Sequence, residues 1–245
     1  MDTILCHRQD GVMVLTLNRQ DKRNALTQKM YTDLIDHLNS AEQDPAIRAI
    51  LVQGDNQCFC AGNDLQDFLN GTLDNDAPVL RFVRMLPHLK KPLVAAVAGP
   101  AVGIGTTLLL YCDLVYATED AKLMLSFVNQ GLVPEAGSTV LLPALMGHQR
   151  SAELLLLGRT FSGAEAHEWG LVTRTVPAEQ LLDHALTQAK RLASQPQSAL
   201  TATVAMLRDA RPDNLSEVID HEIALFLAQL ETDETKARIA RMLKR

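Results

Sequence analysis

Two glycine-containing segments hold the residues with which this chain could do chemistry. The first reads Phe-Cys-Ala-Gly-Asn-Asp-Leu from Phe59 to Leu65, and the second reads Gly-Pro-Ala-Val-Gly-Ile-Gly-Thr from Gly99 to Thr106. Each follows a strand-like run, so each places free backbone N–H groups at a strand end, where sites on α/β sheets tend to form. Two N–H groups directed at one oxygen suit a carbonyl that becomes an oxyanion, as a thioester carbonyl does when it enolises. We therefore predict one anion hole built from both segments.

The same glycines have a plainer interpretation. Gly62 could serve a tight turn, and Gly103 and Gly105 could allow a helix to pack closely on a strand. An apolar helix beginning near Gly103 would also direct the positive end of its dipole at the hole. A single Gly-x-Gly pattern is weak evidence, so the surrounding elements and the order of other motifs decide between the two interpretations.

The elements that must position these segments are strands early in the chain and helices late. The pattern predicts an antiparallel hairpin, with strands at 4–8 and 12–17 around Asp10-Gly11. Thr27 is predicted to cap a helix, and strands are predicted at 49–54 and 93–98. Strand and helix alternate from residue 47 to about 176, which favours an α/β fold of stacked ββα units with a largely parallel sheet. Four helices are predicted thereafter, at 181–194, 196–210, 215–230 and 233–243.

Composition allows one large domain with a helical region and argues against several partners. The chain has 245 residues, of which 47% are hydrophobic, and its net charge is −6. A negative net charge argues against nucleic acid and anionic membranes as partners. Four cysteines without metal-site spacing predict free thiols and no metal. Neither a signal peptide, a membrane span nor a peroxisomal ending is visible, so a cytoplasmic location is predicted.

Further motifs occur in a fixed order along residues 3–175. They are Leu15-Thr-Leu-Asn18, Asn24-Ala-Leu26, the first glycine segment, Lys91-Pro92, the second glycine segment, the stretch 112–117, Gly131-Leu-Val-Pro-Glu-Ala-Gly-Ser138, the stretch 158–166 and Trp169-Gly-Leu-Val172. In this order they resemble the crotonase (enoyl-CoA hydratase/isomerase) superfamily. The resemblance implies a crotonase (ClpP-like) fold, with a spiral core at 1–177 that holds a CoA-thioester site. It also implies a C-terminal helical region at 178–245 for trimerisation and site closure.

The resemblance assigns the chemistry to Glu135 and to two backbone groups. Hydratases of this family use two glutamates, and the matching positions here are Thr107 and Phe127. Instead Glu135 stands in the Pro-Glu-Ala-Gly motif, which is similar to the peroxisomal-type Δ3,Δ2-enoyl-CoA isomerases. The N–H groups of Asn63 and Ile104 match the oxyanion donors, and their side chains are expected to be nearly incidental. Apolar neighbours of Glu135 are expected to raise its pKa.

One carboxylate is enough for isomerisation, because the same group can take a proton from C2 and return it at C4. We therefore expect an isomerase that moves a double bond from C3 to C2 of an enoyl-CoA through a dienolate, in fatty-acid beta-oxidation. Enoyl-CoA hydration and other CoA-thioester reactions stay open, because a fold does not fix a reaction. An inactive crotonase-fold binding protein is the alternative that is not an enzyme.

Glu135 itself has an alternative role, as a charge in the first turn of a helix that runs from about Gly137. Asp64 and Asp67 are expected at a helix start rather than as acids. The apolar stripe at 215–230 could cover the chain's own core or contact another subunit.

The resemblance also implies an acyl-CoA substrate, no separate cofactor, and a homotrimer or a dimer of trimers. The predicted substrate-binding residues are Ala61, Gly62, Asn63, Asp64, Leu65, Gly103, Ile104, Lys22, Arg23, Ala25, Phe127 and Leu132. Lys22 and Arg23 are candidates for contacts with the CoA phosphates, although a solvated basic turn has the same sequence. The residues from 71 to 77 are expected to form a polar link.

Overall fold

Two β-sheets organise the part of the chain that the computed structural model describes, residues 2–70 and 73–243. The larger sheet has the order β1 (Ile4–Gln9), β2 (Val12–Leu17), β3 (Ala49–Gln53), β4 (Leu93–Val97), β6 (Leu114–Ala117) and β9 (Arg174–Thr175). The smaller sheet has the order β5 (Pro100–Val102), β7 (Lys122–Met124) and β8 (Thr160–Ser162). Residues 71 and 72 of the predicted link, and the chain ends at 1, 244 and 245, lie outside the described residues.

The predicted hairpin is confirmed by the pairing of β1 and β2. The two strands are antiparallel, with Gln9 opposite Val12. Asp10 and Gly11 have φ values of 50° and 77°, and a tight hairpin turn of the favoured type needs positive φ at both positions. From β2 onward the neighbours in the larger sheet are parallel.

The predicted stacking of ββα units is also confirmed. Strand β4 leads directly into β5 of the smaller sheet, and β6 leads into β7 in the same way. Helix α1 (Gln28–Gln43) begins where the sequence predicts, because the Thr27 side chain accepts a hydrogen bond from the N–H of Met30. The next helices are α2 (Leu65–Asn70), α3 (Pro78–Met85), α4 (Ile104–Thr107), α5 (Phe127–Gln130), α6 (Ser138–Met146), α7 (His148–Leu157) and α8 (Gly163–Glu168).

The apolar helix expected to begin near Gly103 is short in the structure. Helix α4 has four residues and passes into a 3-10 turn at Leu108–Tyr111. The chain must enter β6 at Leu114, so the leucines at 108 and 109 are buried by the turn itself. A helix of one turn adds little dipole to the predicted hole.

The four predicted helices of the C-terminal region are α9 (Ala178–Ala193), α10 (Gln197–Asp209), α11 (Leu215–Leu230) and α12 (Asp233–Met242). Helix α9 covers one face of the larger sheet, where Leu181 and Ala185 join a buried cluster with Val12 and Val14. Helix α11 places its apolar stripe in the main core, with Ile219, Ile223 and Phe226 buried there. The stripe therefore packs on this chain's own core. The limits of 1–177 and 178–245 stay a prediction.

None of the helices within residues 2–70 and 73–243 combines the length and the apolar composition needed to cross a bilayer.

Candidate active site

The two glycine segments lie side by side in the structure. The N–H of Cys60 donates to the carbonyl of Pro100 at 2.9 Å, and the N–H of Val102 donates to the carbonyl of Cys60 at 2.9 Å. A Cβ atom at Gly62 would lie 2.9 Å from the carbonyl oxygen of Val102. At Gly105 it would lie 2.9 Å from the carbonyl oxygen of Cys60. The glycines therefore allow a close backbone approach that joins the two halves of the predicted hole.

The two predicted donors have no partner within the described part of the chain. Neither the N–H of Asn63 nor that of Ile104 donates to a protein acceptor there, whereas the N–H groups of Gly103 and Asp64 do. The N–H of Gly103 donates to Met124 at 2.8 Å, and that of Asp64 donates to Leu26 at 2.9 Å. Ile104 is the first residue of α4, where no intrahelical acceptor exists. Two unpaired donors on joined segments are what an oxyanion hole requires.

The side chains of Asn63 and Ile104 make structural contacts that the sequence did not indicate. The Tyr31 hydroxyl of α1 donates to Oδ1 of Asn63, and Tyr31 is fully buried. Ile104 is also buried and packs in the main core. Both side chains therefore fix the backbone that presents the donors, and this role follows from contacts with distant residues.

Asn24 is a structural residue of the site whose role the sequence did not show. Its side chain is fully buried, and its Nδ2 donates to the carbonyls of Cys58 and Phe59, each at 3.1 Å. Its Oδ1 accepts from the N–H of Arg19 at 2.8 Å. The φ of Asn24 is 56°, a conformation that asparagine tolerates better than most residues. The ability of asparagine to adopt a positive φ is the sequence signal by which Asn24 could have been identified.

A cavity of about 370 Å³ opens beside the hole. The predicted substrate-binding residues that line it are Lys22, Ala25, Ala61, Gly62, Asn63, Asp64, Leu65, Gly103, Phe127 and Leu132. Further lining comes from residues that the sequence did not indicate, among them Gln66, Gln130, Phe226, Met242 and Leu243. Phe226 lies on α11, Met242 is the last residue of α12 and Leu243 follows it, so residues of the C-terminal helices line part of the cavity.

Two predicted binding residues are absent from the described lining of this cavity. The side chain of Ile104 faces a small apolar space among Leu17, Leu26 and Leu108 instead. Arg23 is exposed, and its backbone carbonyl accepts from the N–H of Ala61 at 2.9 Å. Lys22 is exposed and lines the cavity, so it is better placed than Arg23 to meet a phosphate group.

Glu135 is a buried carboxylate next to the hole. Its side chain is 6% exposed, and its Oε1 accepts a hydrogen bond from Oγ1 of Thr107 at 2.5 Å. Thr107 lies three residues after Ile104 in α4, which is a rise of about 5 Å along a helix. Burial raises the pKa of Glu135 to about 8, the Thr107 hydrogen bond opposes the rise, and the nearby Glu222 carboxylate adds to it. Glu135 is absent from the described lining of the cavity.

The structure does not support a helix-capping role for Glu135. Helix α6 begins at Ser138, and the N–H groups of Gly137 and Thr139 donate to the carboxylate of Glu222, not to Glu135. Ala136 and Gly137 have φ values of 58° and 66°. This left-handed turn separates the Glu135 side chain from the start of α6.

The other carboxylates near the cavity serve helix ends and ion pairs, as expected. Asp64 pairs with Arg19 at 2.6 Å, and its Oδ1 accepts from the N–H of Gln66 at the start of α2. Asp67 accepts from the N–H of Gln28 at 2.8 Å, at the start of α1. Among the described residues that line the cavity, Asp64 has the one carboxylate. The described lining of the cavity therefore offers no free carboxylate that could act as a second acid beside Glu135.

Comparisons with known proteins identify relatives along almost the whole chain. The sequence matches the family described as "Enoyl-CoA hydratase/isomerase" over residues 7–244. It is 39% identical over 231 residues to the 1,2-epoxyphenylacetyl-CoA isomerase of Escherichia coli, covering 91% of this chain and 88% of that protein. It is 32% identical over 249 residues to the 2,3-dehydroadipyl-CoA hydratase of the same organism, covering 100% and 97%.

An isomerase of a second type and a solved structure are also similar. Enoyl-CoA delta isomerase 2 of Rattus norvegicus is 34% identical over 238 residues, which cover 94% of this chain and 61% of that protein. The structure of Pseudomonas aeruginosa OdaA has a TM-score of 0.97 and 40% sequence identity, covering 100% of both chains. The relatives include isomerases and a hydratase, so overall identity does not select the reaction.

Proposed function

Because the chain belongs to the enoyl-CoA hydratase/isomerase family, we propose that it is an acyl-CoA isomerase that moves a double bond from C3 to C2 of an enoyl-CoA. The thioester oxygen binds to the N–H groups of Asn63 and Ile104, and Glu135 transfers the proton. One observation carries the proposal. Glu135 is a buried carboxylate next to the hole, and Thr107, at the position of a hydratase glutamate, donates a hydrogen bond to it.

The proposed reaction needs no water and no redox partner. The Glu135 carboxylate takes a proton from C2, and the C–H bonding electrons form a double bond between C1 and C2. The charge of the resulting dienolate moves to the thioester oxygen, where the two N–H groups stabilise it. The Glu135 carboxylic acid then gives the proton to C4, which leaves the double bond between C2 and C3.

The environment of Glu135 suits this shuttle. A general base works best when its pKa lies near the working pH, and burial raises the pKa of Glu135 to about 8. The ionised form is then a stronger base than an exposed glutamate. The Thr107 hydroxyl fixes the direction of one carboxylate oxygen, and the apolar side chains of Phe127 and Leu132 line the cavity nearby.

Hydration is a weaker candidate because it requires activation of water by a second acid or base. Thr107 and Phe127 stand at the two positions where the hydratases of this family have glutamate. Neither side chain can accept a proton as a carboxylate does. Asp64 lines the cavity but is paired with Arg19, so it is a poor substitute.

A second candidate comes from the reaction named for one relative. The relative that is 39% identical is named 1,2-epoxyphenylacetyl-CoA isomerase. An oxyanion hole and one proton-transferring carboxylate would also serve an isomerase of that CoA thioester. The homotrimeric or hexameric state, the cytoplasmic location and a place in beta-oxidation belong to the proposal as well.

The experiment that tests the proposal offers the purified protein a 3-enoyl-CoA, a 2-enoyl-CoA and 1,2-epoxyphenylacetyl-CoA. Products are identified by chromatography and mass spectrometry. We expect conversion of the 3-enoyl-CoA to its 2-enoyl isomer to be much faster than hydration of the 2-enoyl-CoA. Faster conversion of the epoxide would favour the second candidate. Faster hydration would contradict both, and no turnover of any thioester would favour a binding protein.

A further inference from the structure

Glu222 is a buried carboxylate that the proposed reaction does not use. It lies on α11 with 5% of its surface exposed. Its Oε2 accepts from the N–H of Gly137 at 2.7 Å, and its Oε1 accepts from the N–H of Thr139 at 3.2 Å and from the Thr139 hydroxyl. Glu222 accepts all three hydrogen bonds, and they favour its ionised form against burial, which raises the pKa of Glu222 above its ordinary value.

These contacts fix the turn that presents Glu135. Gly137 lies two residues after Glu135, and Ala136 between them has a φ of 58°, which is a strained conformation for a residue with a Cβ atom. The Tyr111 hydroxyl donates to the carbonyl of Ala136 at 2.6 Å. Glu222 and Tyr111 therefore restrain the same turn at successive residues, and a turn with strained backbone needs such restraint to persist.

Helix α11 also contacts the cavity. Phe226 lies one helical turn after Glu222, lines the cavity and packs edge-on against Phe68 with ring centroids 5.9 Å apart. Leu215 and Ile219 of the same helix pack against Gly137, where an added Cβ atom would lie 2.5 Å from a methyl group of Leu215. One face of α11 thus contacts both the turn that holds Glu135 and the wall of the cavity.

We infer that Glu222 is a positioning residue for the proton transfer, which fixes the Glu135–Gly137 turn from α11 and keeps Glu135 directed at the oxyanion hole. The inference rests on the proposed role of Glu135. It extends that role, because Glu222, which helps to position the base, lies in the C-terminal region, 87 residues after Glu135 in the sequence.

The charge of Glu222 gives the inference a readout that a purely structural contact lacks. Burial is the main cause that raises the pKa of Glu135, and the negative charge of Glu222 raises it further. Other titratable groups face the pair. Tyr31 and Tyr111 lie near Glu135, Arg211 lies 5.0 Å from the Tyr111 ring, and His221 adjoins Glu222. The substitutions below leave all four unchanged.

The test compares Glu222→Gln with Glu217→Gln, which removes the same charge from an exposed position of the same helix. Steady-state kinetics with the thioester that wild type turns over are measured from pH 5.5 to 9.5, together with melting temperatures. For Glu222→Gln we expect kcat to fall about tenfold or more with little change in KM, because a small misplacement of a catalytic group costs up to about 10²-fold. The midpoint of the acid limb should move about half a pH unit or more lower, because a negative neighbour is lost.

Two outcomes of this comparison would overturn the inference. Kinetics equal to those of Glu217→Gln would overturn the inference, and so would a lower kcat with an unmoved midpoint, because that result describes structural support alone. If Glu222→Gln does not fold, Thr139→Ala removes one donor from an exposed residue and Thr139→Ser retains it. Thr139→Ala should then lower kcat severalfold and Thr139→Ser should not, and equal kcat values would overturn the inference. Full activity of Glu135→Gln would refute the proposed function itself, independently of Glu222.

Discussion

At the scale of single residues, the site depends on what surrounds one carboxylate. Burial and the negative charge of Glu222 raise the pKa of Glu135, and the hydrogen bond from the Thr107 hydroxyl lowers it. Thr107 is also fully buried, so its hydroxyl has few alternative partners. The residue that replaces a hydratase glutamate is therefore a hydrogen-bond donor to the proposed base.

We predict that Thr107→Val raises the pKa of Glu135, because the hydrogen bond that favours the ionised form is lost. The acid limb of the kcat/KM profile should move to higher pH, and activity at pH 7 should fall. Thr107→Ser is the matched control, since it retains the hydroxyl and should leave the profile near that of wild type. A profile of Thr107→Val that coincides with wild type would show that Thr107 does not act on Glu135.

A second prediction at this scale concerns stability. Burial raises the pKa of Glu135 from an ordinary value of 4.5 to about 8 in the folded state. When folding raises the pKa of an acid, that acid stabilises the folded state fully at pH values below its unfolded pKa. This contribution to the free energy of unfolding is lost as the pH rises through the folded pKa. Glutamine does not ionise, so Glu135→Gln does not lose this stability at high pH. The melting temperature of the variant minus that of wild type should therefore be higher at pH 8.5 than at pH 5. The difference is measured by thermal unfolding, and a pH-independent difference would contradict the raised pKa.

At the scale of elements, the proposed anion hole lies where two loops touch, and glycine allows their close approach. The order of glycines after two strands predicted both loops, and the resemblance to the crotonase superfamily supplied the two donors, Asn63 and Ile104. The sequence did not predict Tyr31, Asn24 or Glu222 as supports. Their partners Asn63, Cys58 and Gly137 are 32, 34 and 85 positions away, and contacts of that range leave no periodic pattern in a single chain.

Ile104→Pro tests the hole, because it deletes one N–H at the first residue of α4, where proline is tolerated. Loss of one oxyanion donor should cost about 3–4 kcal/mol of transition-state stabilisation, or on the order of a few hundredfold in kcat. Ile104→Val is the control, since Ile104 is buried and this change costs only about 0.5–1.5 kcal/mol of stability. Melting temperature and CoA-thioester binding are measured alongside kcat. A folded, binding and fully active Ile104→Pro protein would leave the glycine turn with a packing role only.

At the scale of the whole molecule, the C-terminal helices divide their tasks. Helix α9 covers the larger sheet, while α11 and the end of α12 contribute Phe226, Met242 and Leu243 to the cavity. The four helices could be predicted from their apolar spacing. Their docking could not, because an amphipathic stripe specifies that a face is covered without specifying the covering surface.

Several apolar side chains remain exposed on these helices and on α7. Met206 and Leu207 of α10 are 72% and 65% exposed, and Leu156 and Leu157 of α7 are each 66% exposed. These exposed pairs are candidates for subunit contacts, and the resemblance to the crotonase superfamily implies a trimer or a dimer of trimers. We predict a molar mass by light scattering of three or six times 26.9 kDa. A monomer at micromolar concentration would contradict the predicted trimer.

The central claim is that Glu135 moves a proton next to the oxyanion hole. Its most direct test is the rate at which wild type and Glu135→Gln convert a 3-enoyl-CoA to the conjugated 2-enoyl-CoA, with thioester binding measured on both proteins. Wild type should form the conjugated product, and Glu135→Gln should bind the thioester but turn it over roughly 10²-fold or more slowly, as expected for loss of a general base. Equal rates for the two proteins would contradict the account.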